Sequence, residues 1–423
     1  MISLATRLIS RYSHINWAIM DQTMVSGVNF ATGVLLARFL GIEEFGRFTL
    51  AWMAILFVNS IQLHAVVSPL MSIGPKQTPE EQSTYYGAVA AQQAIFGILS
   101  FFLIWGVASF VATLFPEWNM KRLALPIACA APAFQIQDFL RRYFFVRGRP
   151  ARAFANDMVR YLGQLAVLVW LYQFAEMDTV RVLWVVTALA LLAALMFGAN
   201  CLVDLTWDTR AFIGTVRRHW VFSKWLIGSS LMLWSSSHLF ILAVGAIMGA
   251  GAVGALRAAQ NLMGVTNILL QGMENIVPAG ASTQYHREGG KGLLRYIVKV
   301  VVLGEMAIGV VAVAAAVMPA FWLGLVFGDE YREYGYLLQW FAVIYLLMYL
   351  TLTLEAALRA IERTKAVFWG YLIMTAFSLA AVYPLINYLG LVGATIGLFS
   401  AQAILFGFLG RSFFKAITDG RHR

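Results

Sequence analysis

The sequence predicts an all-α polytopic membrane protein: twelve transmembrane helices in two six-helix bundles, related as a parallel pseudo-two-fold repeat. Three observations predict it. Of the 423 residues, 60% are hydrophobic and only 12% charged, and the mean hydropathy is +0.73; a soluble domain carries about 25% charged residues. Twelve stretches are apolar enough and long enough to span, each close to the roughly 20 residues that a bilayer crossing needs. The first half of the chain also resembles the second when shifted by 208 residues.

Taken in order, the N-terminal arm places Leu4 and Leu8 beside Arg7 and Arg11, the pattern of a short amphipathic helix lying on a membrane surface. Apolar stretches then run near 17–40, 46–72, 85–113, 123–146, 157–175 and 180–203. The first follows two arginines and has no small-residue cleavage pattern, so it reads as a retained span. Residues 204–222 form the longest polar interval and are expected to link an N-terminal bundle (1–203) to a C-terminal one (223–423). The second set of stretches lies near 223–248, 253–281, 297–323, 336–357, 366–389 and 391–410. Both cysteines, Cys129 and Cys201, fall inside predicted spans and give neither a disulfide framework nor a metal spacing.

The repeat is weak but keeps its order. With the 208-residue shift Gly41 falls on Gly249, Gly46 on Gly254 and Asn59 on Asn267. Further along, Asp138 and Arg142 match Glu355 and Arg359. Each acid stands four residues before its arginine, the geometry of an intrahelical ion pair. Two halves of six spans run in the same direction, so their axis lies along the membrane normal, and transporters with such repeats bind substrate where the halves meet.

Charge sets the expected orientation. With the N-terminus cytoplasmic, 23 basic residues fall on the cytoplasmic side and seven on the other; Arg160 lies within the fifth span. That bias places both termini in the cytoplasm. The net charge of +10 is spread over loop and terminal patches of one membrane face, which argues against a nucleic-acid partner. The only Gly-Lys pair, Gly290-Lys291, is followed by Gly292, so no Walker A motif is present. The non-cytoplasmic loops are short, which speaks against a polytopic glycosyltransferase or polymerase, and no metal or cofactor site is expected. Nor does the loop at 74–83 carry the signature of major facilitator transporters.

The most informative stripe lies in the eighth span. Arg257, Gln260, Gly264, Asn267, Gln271, Glu274 and Pro278 recur at steps of three and four, one face of a helix. Polar groups inside a bilayer face water, substrate or another helix. The stripe therefore reads as one wall of a cavity, with Arg257, Gln260, Asn261, Asn267, Gln271, Asn29, Asn59 and Arg38 as candidate substrate-binding residues. Arginine suits an anionic group such as phosphate because its planar fork presents several donors. Glu274 and Asp21 are candidates for coupling to a proton or sodium gradient. Arg141, Arg142 and Arg359 are candidates for meeting an anionic headgroup at the cytoplasmic mouth. In the first span Gln22, Ser26, Asn29 and Gly33 share a face, and the seventh offers Ser229, Ser230, Ser236, Ser237 and His238; close helix packing explains the serines equally well.

The segment GVNFATGVLLARFLGIEEFGRFTLAW at 27–52 contains Ala37-Arg38-Phe39-Leu40-Gly41 and then Phe45-Gly46, and FLRRYFFVRGRPARAF follows at 139–154. These segments resemble bacterial polysaccharide-export flippases (O-antigen and exopolysaccharide translocases) of the multidrug/oligosaccharidyl-lipid/polysaccharide (MOP) superfamily. The resemblance implies a pair of six-helix bundles, alternating access and a substrate built on undecaprenyl diphosphate, with no catalytic residues. Its expected setting is the bacterial inner membrane, with a lipid-linked oligosaccharide as cargo and polysaccharide polymerase or export machinery as partners. Two other readings are an ion-coupled multidrug antiporter on the same fold and a non-transporting component of a glycan-assembly complex.

Overall fold

A computed structural model describes the backbone of residues 2–202 and 206–419, and the side chains within 16–418 apart from residues 18, 19, 117, 200–205, 229, 233, 236, 268, 271, 272, 274–276 and 279. The described chain is helical, with no strand. Its helices are α1 (Ile2–Gln62), α2 (Ser68–Ile73), α3 (Pro79–Leu114), α4 (Met120–Val146), α5 (Pro150–Asp157), α6 (Gly163–Phe174), α7 (Thr179–Leu202), α8 (Thr209–Met248), α9 (Ala250–Met263), α10 (Asn267–Val317), α11 (Pro319–Phe327), α12 (Gly335–Ala360) and α13 (Thr364–Asp419).

Among the described residues, seven helices are long and apolar enough to cross a membrane, and eight if Thr209–Met232 and Ser237–Met248, bent by 50°, count as one broken span. Two of the seven, Met20–Lys76 and Thr364–Thr418, hold 57 and 55 residues. At 1.5 Å per residue each is more than about 80 Å long, against a hydrocarbon core of about 30 Å. A glycine interrupts each one: Gly41 has φ 74° and Gly390 has φ 58°. That backbone conformation is strained for residues with a Cβ, so glycine is where a continuous apolar sequence changes direction. Gly289, with φ 64°, does the same in α10.

The chain forms two compact units. The first holds residues 1–40 and 47–231, the second 41–46 and 232–423. Residues 209–222, at the end of the interval expected as a linker, are helical and start α8 inside the first unit.

In the first unit α4 packs against α3, α5 and α7. Its core gathers Val66, Leu70, Tyr86, Val89, Phe144 and Ala153. The outer face of α3 leaves Leu99, Phe102 and Phe110 exposed, as expected of a helix surface whose solvent is lipid. In the second unit α12 packs against α9, α10 and α13, and α10 turns Val302, Leu303, Met306 and Val310 outward.

The second unit also contains a close backbone approach. A Cβ on Gly46 would run into the carbonyl of Ala250, and one on Gly254 into the carbonyl of Ile42. The two glycines paired by the 208-residue shift therefore make reciprocal contacts, each with the turn that carries the other. Gly41 and Gly249, also paired by the shift, share left-handed backbone, with φ 74° and 89°. The Ile42 N–H donates to Glu330 Oε2 at 3.2 Å, which ties the 41–46 turn to the segment after α11.

Candidate functional site

The first unit is built around a buried ionic network. The inward positions of α5 and of the fifth apolar stretch that follows it are Ala153, Asn156, Asp157, Arg160, Tyr161, Gln164 and Leu168, spaced as one helical face. This stretch is not a regular α-helix. A π-turn over Met158–Leu162 joins α5 to α6, and such turns often mark functional positions.

Arg141 of α4 sits between two carboxylates, with Nη2 2.6 Å from Asp21 Oδ2 and Nε 2.7 Å from Asp157 Oδ2. Asp157 is fully buried, Asp21 nearly so, and the Arg141 side chain is 12% exposed. Gln137 donates through Nε2 to both Asn156 Oδ1 and Asp157 Oδ1, each at 2.6 Å, and its carbonyl oxygen accepts from Arg160. Arg160 also donates to the Tyr161 hydroxyl at 3.1 Å. Its guanidinium lies 4.1 Å from the ring centre of Phe134 and 4.4 Å from that of Tyr161, within cation–π range. Two arginines thus stand beside two aspartates and the network balances its charge. A buried ion pair persists only with such dense partnering, because each charge gives up water to enter it. Nearby, Gln62, Gln93 and the Gln135 carbonyl form a second buried amide cluster.

The second unit differs. Arg257 of α9 donates to Gln260 Oε1 at 2.8 Å and has no carboxylate partner among the described residues. Tyr345 of α12 and His238 of α8 stand within electrostatic reach of it. His238 is pinned by a 3.0 Å contact from Nδ1 to the Trp234 carbonyl and by ring stacking on Trp234 at 4.7 Å. A partly buried guanidinium with a tyrosine, a histidine and an amide nearby, and no anion among the described residues, is a binding arrangement for a negatively charged group.

The structure alters the expected stripe. α9 ends at Met263, a 3-10 turn covers Gly264–Thr266, and α10 begins at Asn267. The Thr266 hydroxyl bonds back to the Met263 carbonyl at 2.7 Å. A 3-10 turn advances about 120° per residue instead of about 100°, so three residues rotate the downstream helix by about 60°. Arg257 and Gln260 therefore keep one face while Asn267 lies off their line and is exposed. Gln271 and Glu274 lie outside the residues whose side chains are described. Asn261 is half-buried, and so is Asn59, whose Oδ1 has no hydrogen-bond partner among the described residues. Asn29 and Arg38 are exposed, and Gln22 donates to Ser26 at 3.2 Å on the same face of α1 as Asn29.

Of the three arginines expected at a membrane-surface mouth, Arg141 is drawn inside by Asp21 and Asp157. Arg142 lies 3.7 Å from Asp138, and Arg359 pairs with Glu355, which also accepts from the Tyr371 hydroxyl at 2.9 Å. Asp21, a candidate for ion coupling, is paired with Arg141. Asp157, Arg160, Asn156 and Gln137 were missed, although a signal for them existed. Asn156, Asp157, Arg160 and Gln164 repeat at helical spacing in an otherwise apolar stretch, the same kind of stripe that singled out the eighth span. Among the described residues, no group of three His, Cys, Asp or Glu side chains is placed to hold a metal ion.

Known proteins now bear on these clusters. The sequence profile of the polysaccharide biosynthesis protein family matches residues 35–335. The chain belongs to that family. Its MOP-superfamily fold is shown by solved structures. An inward-facing multidrug resistance MATE family transporter of the MOP superfamily aligns with a TM-score of 0.73 at 13% identity, covering 93% of this chain and 95% of that one. The lipid II flippase MurJ, in an inward closed conformation, aligns at 0.70 and 12% identity over 94% of this chain and 87% of that one. A MOP superfamily transporter from Pyrococcus furiosus Vc1, described as having a binding pocket of reverse polarity, aligns at 0.56 and 13% identity over 96% and 93%. No curated protein matches the sequence. The resemblance drawn from residues 27–52 and 139–154 is borne out, and the family member is a multi-pass membrane protein with a transporter fold.

Proposed function

We propose that this protein is a flippase that moves undecaprenyl-diphosphate-linked oligosaccharide across the bacterial inner membrane for surface polysaccharide synthesis, by alternating access and without catalysis. In this reading the chain crosses the membrane twelve times, because the glycine-broken helices α1, α10 and α13 each supply more than one straight segment. Two six-helix halves, 1–203 and 223–423, place both termini in the cytoplasm, and polymerase or export machinery receives the cargo. Membership of the polysaccharide biosynthesis protein family supports the role. So does physics: drawing a diphosphate and several sugars through hydrocarbon strips many polar groups of hydrogen bonds at several kcal/mol each, and a polar path removes most of that barrier.

The observation that carries the reading is the contrast between the two clusters. Arg141 of the first unit is balanced by Asp21 and Asp157, whereas Arg257 has only neutral partners among the described residues. Arg257, helped by Gln260, Tyr345 and His238, is therefore the group assigned to the diphosphate. Asn29, Asn59, Asn261, Asn267 and Gln271 are assigned to sugars.

The test is complementation of a deletion strain. The deletion should stop surface polysaccharide and accumulate lipid-linked oligosaccharide on the cytoplasmic side. Wild type restores export. Arg257→Ala should lower it about tenfold or more, equivalent to about 1.4 kcal/mol, and Arg257→Lys should restore part of it because charge returns without the bidentate fork. Full export in the deletion strain, or from Arg257→Ala at equal protein level, refutes the reading. Drug efflux with unchanged glycan export would favour the antiporter instead.

A further inference from the structure

Beyond Gly289 the rest of α10 runs to Val317 without another break. Residues 290–317 are about 42 Å long at 1.5 Å per residue. Glu305 lies within about one turn of the midpoint of that run, the depth at which an ionised side chain is furthest from water on either side. It stands at the border between two faces of the helix. Val302, Leu303, Met306 and Val310 are exposed on one side, and Ile308 is buried on the other. Next to it Gly304 lies under the ring of Tyr349.

Among the described residues Glu305 has no cation, unlike four other acids carried on helices. Asp21 and Asp157 hold Arg141, Asp138 stands near Arg142, and Glu355 holds Arg359 and Tyr371. Among the described residues Glu305 forms no ion pair and no hydrogen bond, and its Oε1 is buried without a partner. No described charged side chain of α9, α11, α12 or α13 acts on it. The titratable groups beside it are Tyr349 of α12 and, through Tyr349, Tyr296 of its own helix. The Tyr349 hydroxyl is committed to the Val300 carbonyl at 3.1 Å, so it cannot also donate its hydrogen to the carboxyl. An unpaired carboxylate in hydrocarbon is among the costliest groups a helix can carry, and such a group becomes neutral instead. An acid kept there has use as a proton carrier.

We propose that Glu305 is a proton-binding site of the second unit, taking up one proton from water on one side of the membrane and giving it to water on the other in each transport cycle. This rests on the transporter reading above and adds the ion that drives it. Glu305 is protonated while its helix faces lipid and deprotonated only when that face meets water. The cargo binds elsewhere, at Arg257, so substrate recognition and proton binding sit on different helices.

Two measurements on the full-length protein test it. The first uses the hydrophobic reagent dicyclohexylcarbodiimide on purified protein in liposomes. A protonated carboxyl passes its proton to a carbodiimide nitrogen while its oxygen bonds the central carbon; the adduct rearranges to a stable N-acylurea that keeps all atoms of both reactants. Mass spectrometry should find this adduct on Glu305, declining as pH is raised, and not on Asp157 or Glu355. Absence of the adduct at Glu305, in protein that is labelled at other carboxyls, overturns the proposal.

The second follows translocation of a lipid-linked oligosaccharide in the same liposomes with and without a pH gradient. The gradient should speed wild type several-fold and leave Glu305→Gln unchanged, while Glu305→Asp keeps part of the stimulation. Equal stimulation of wild type and Glu305→Gln overturns the proposal. Wild type that fails to translocate at all would sink the flippase reading, and the labelling result would still decide the proton site.

Discussion

Substituting Arg141 by Met removes the cation from between two buried carboxylates. With charge centres about 4 Å apart and an effective dielectric constant near 20, each Arg141–Asp contact is worth about 4 kcal/mol of attraction before desolvation. Breaking a buried pair by deleting one partner usually costs about 3–5 kcal/mol, because the survivor is left without compensation. Here two survivors remain, Asp157 fully buried and Asp21 nearly so, and they repel each other once the guanidinium has gone. Arg141→Met is therefore expected at or above the top of that range.

The remedy is specific. Adding Asp21→Asn and Asp157→Asn to Arg141→Met removes the stranded charges and should recover at least about 2 kcal/mol, a coupling typical of groups in direct contact. The assay is apparent unfolding of the purified protein in detergent or nanodiscs, followed by tryptophan fluorescence, for wild type, single, double and triple variants. Arg141→Met within about 0.5 kcal/mol of wild type would refute the reasoning, since surface changes commonly stay inside that limit. A triple variant no more stable than Arg141→Met would refute it equally.

Other contacts give two more expected outcomes. Gly46→Val and Gly254→Val each drive a side chain into a facing carbonyl; overpacking of this kind costs about 1–3 kcal/mol, and Gly27→Ala, where nothing lies within reach, serves as the control in the same melts. At the pair on α12, Tyr371→Phe should cost about 1–2 kcal/mol because it removes a donor to the buried Glu355 carboxylate. Arg359→Ala should cost more, because it strands the buried Glu355 carboxylate without its cation. Equal losses for the two variants would show that the Glu355 environment is read wrongly.

Much of this was legible in the residues. Hydropathy gave a membrane chain, because burying about 20 apolar residues in hydrocarbon depends on local composition alone. The 208-residue shift picked out Gly41, Gly46, Gly249 and Gly254 from residue identity, since a turn that needs positive φ or close approach selects glycine wherever it lies. The i,i+4 acid–arginine pairs were also readable, being local to one helix. The stripe from Arg257 failed at Gly264, where three residues switch to a tighter turn. That switch depends on hydrogen bonds such as Thr266 to Met263, and helical periodicity carries no sign of it.

Sequence by itself determined that this chain lives in a bilayer, where its turns at Gly41 and Gly249 lie, and which spans carry polar groups. Only tertiary structure decided which charges meet. Arg141 is 120 positions from Asp21 and binds Asp157 as well, and no local rule of spacing reports that three helices bring these groups together at 2.6 and 2.7 Å. The same folding leaves Arg257 among neutral groups within the described residues. In a medium of low dielectric the meaning of a charge is set by its nearest neighbours, and those are chosen by packing.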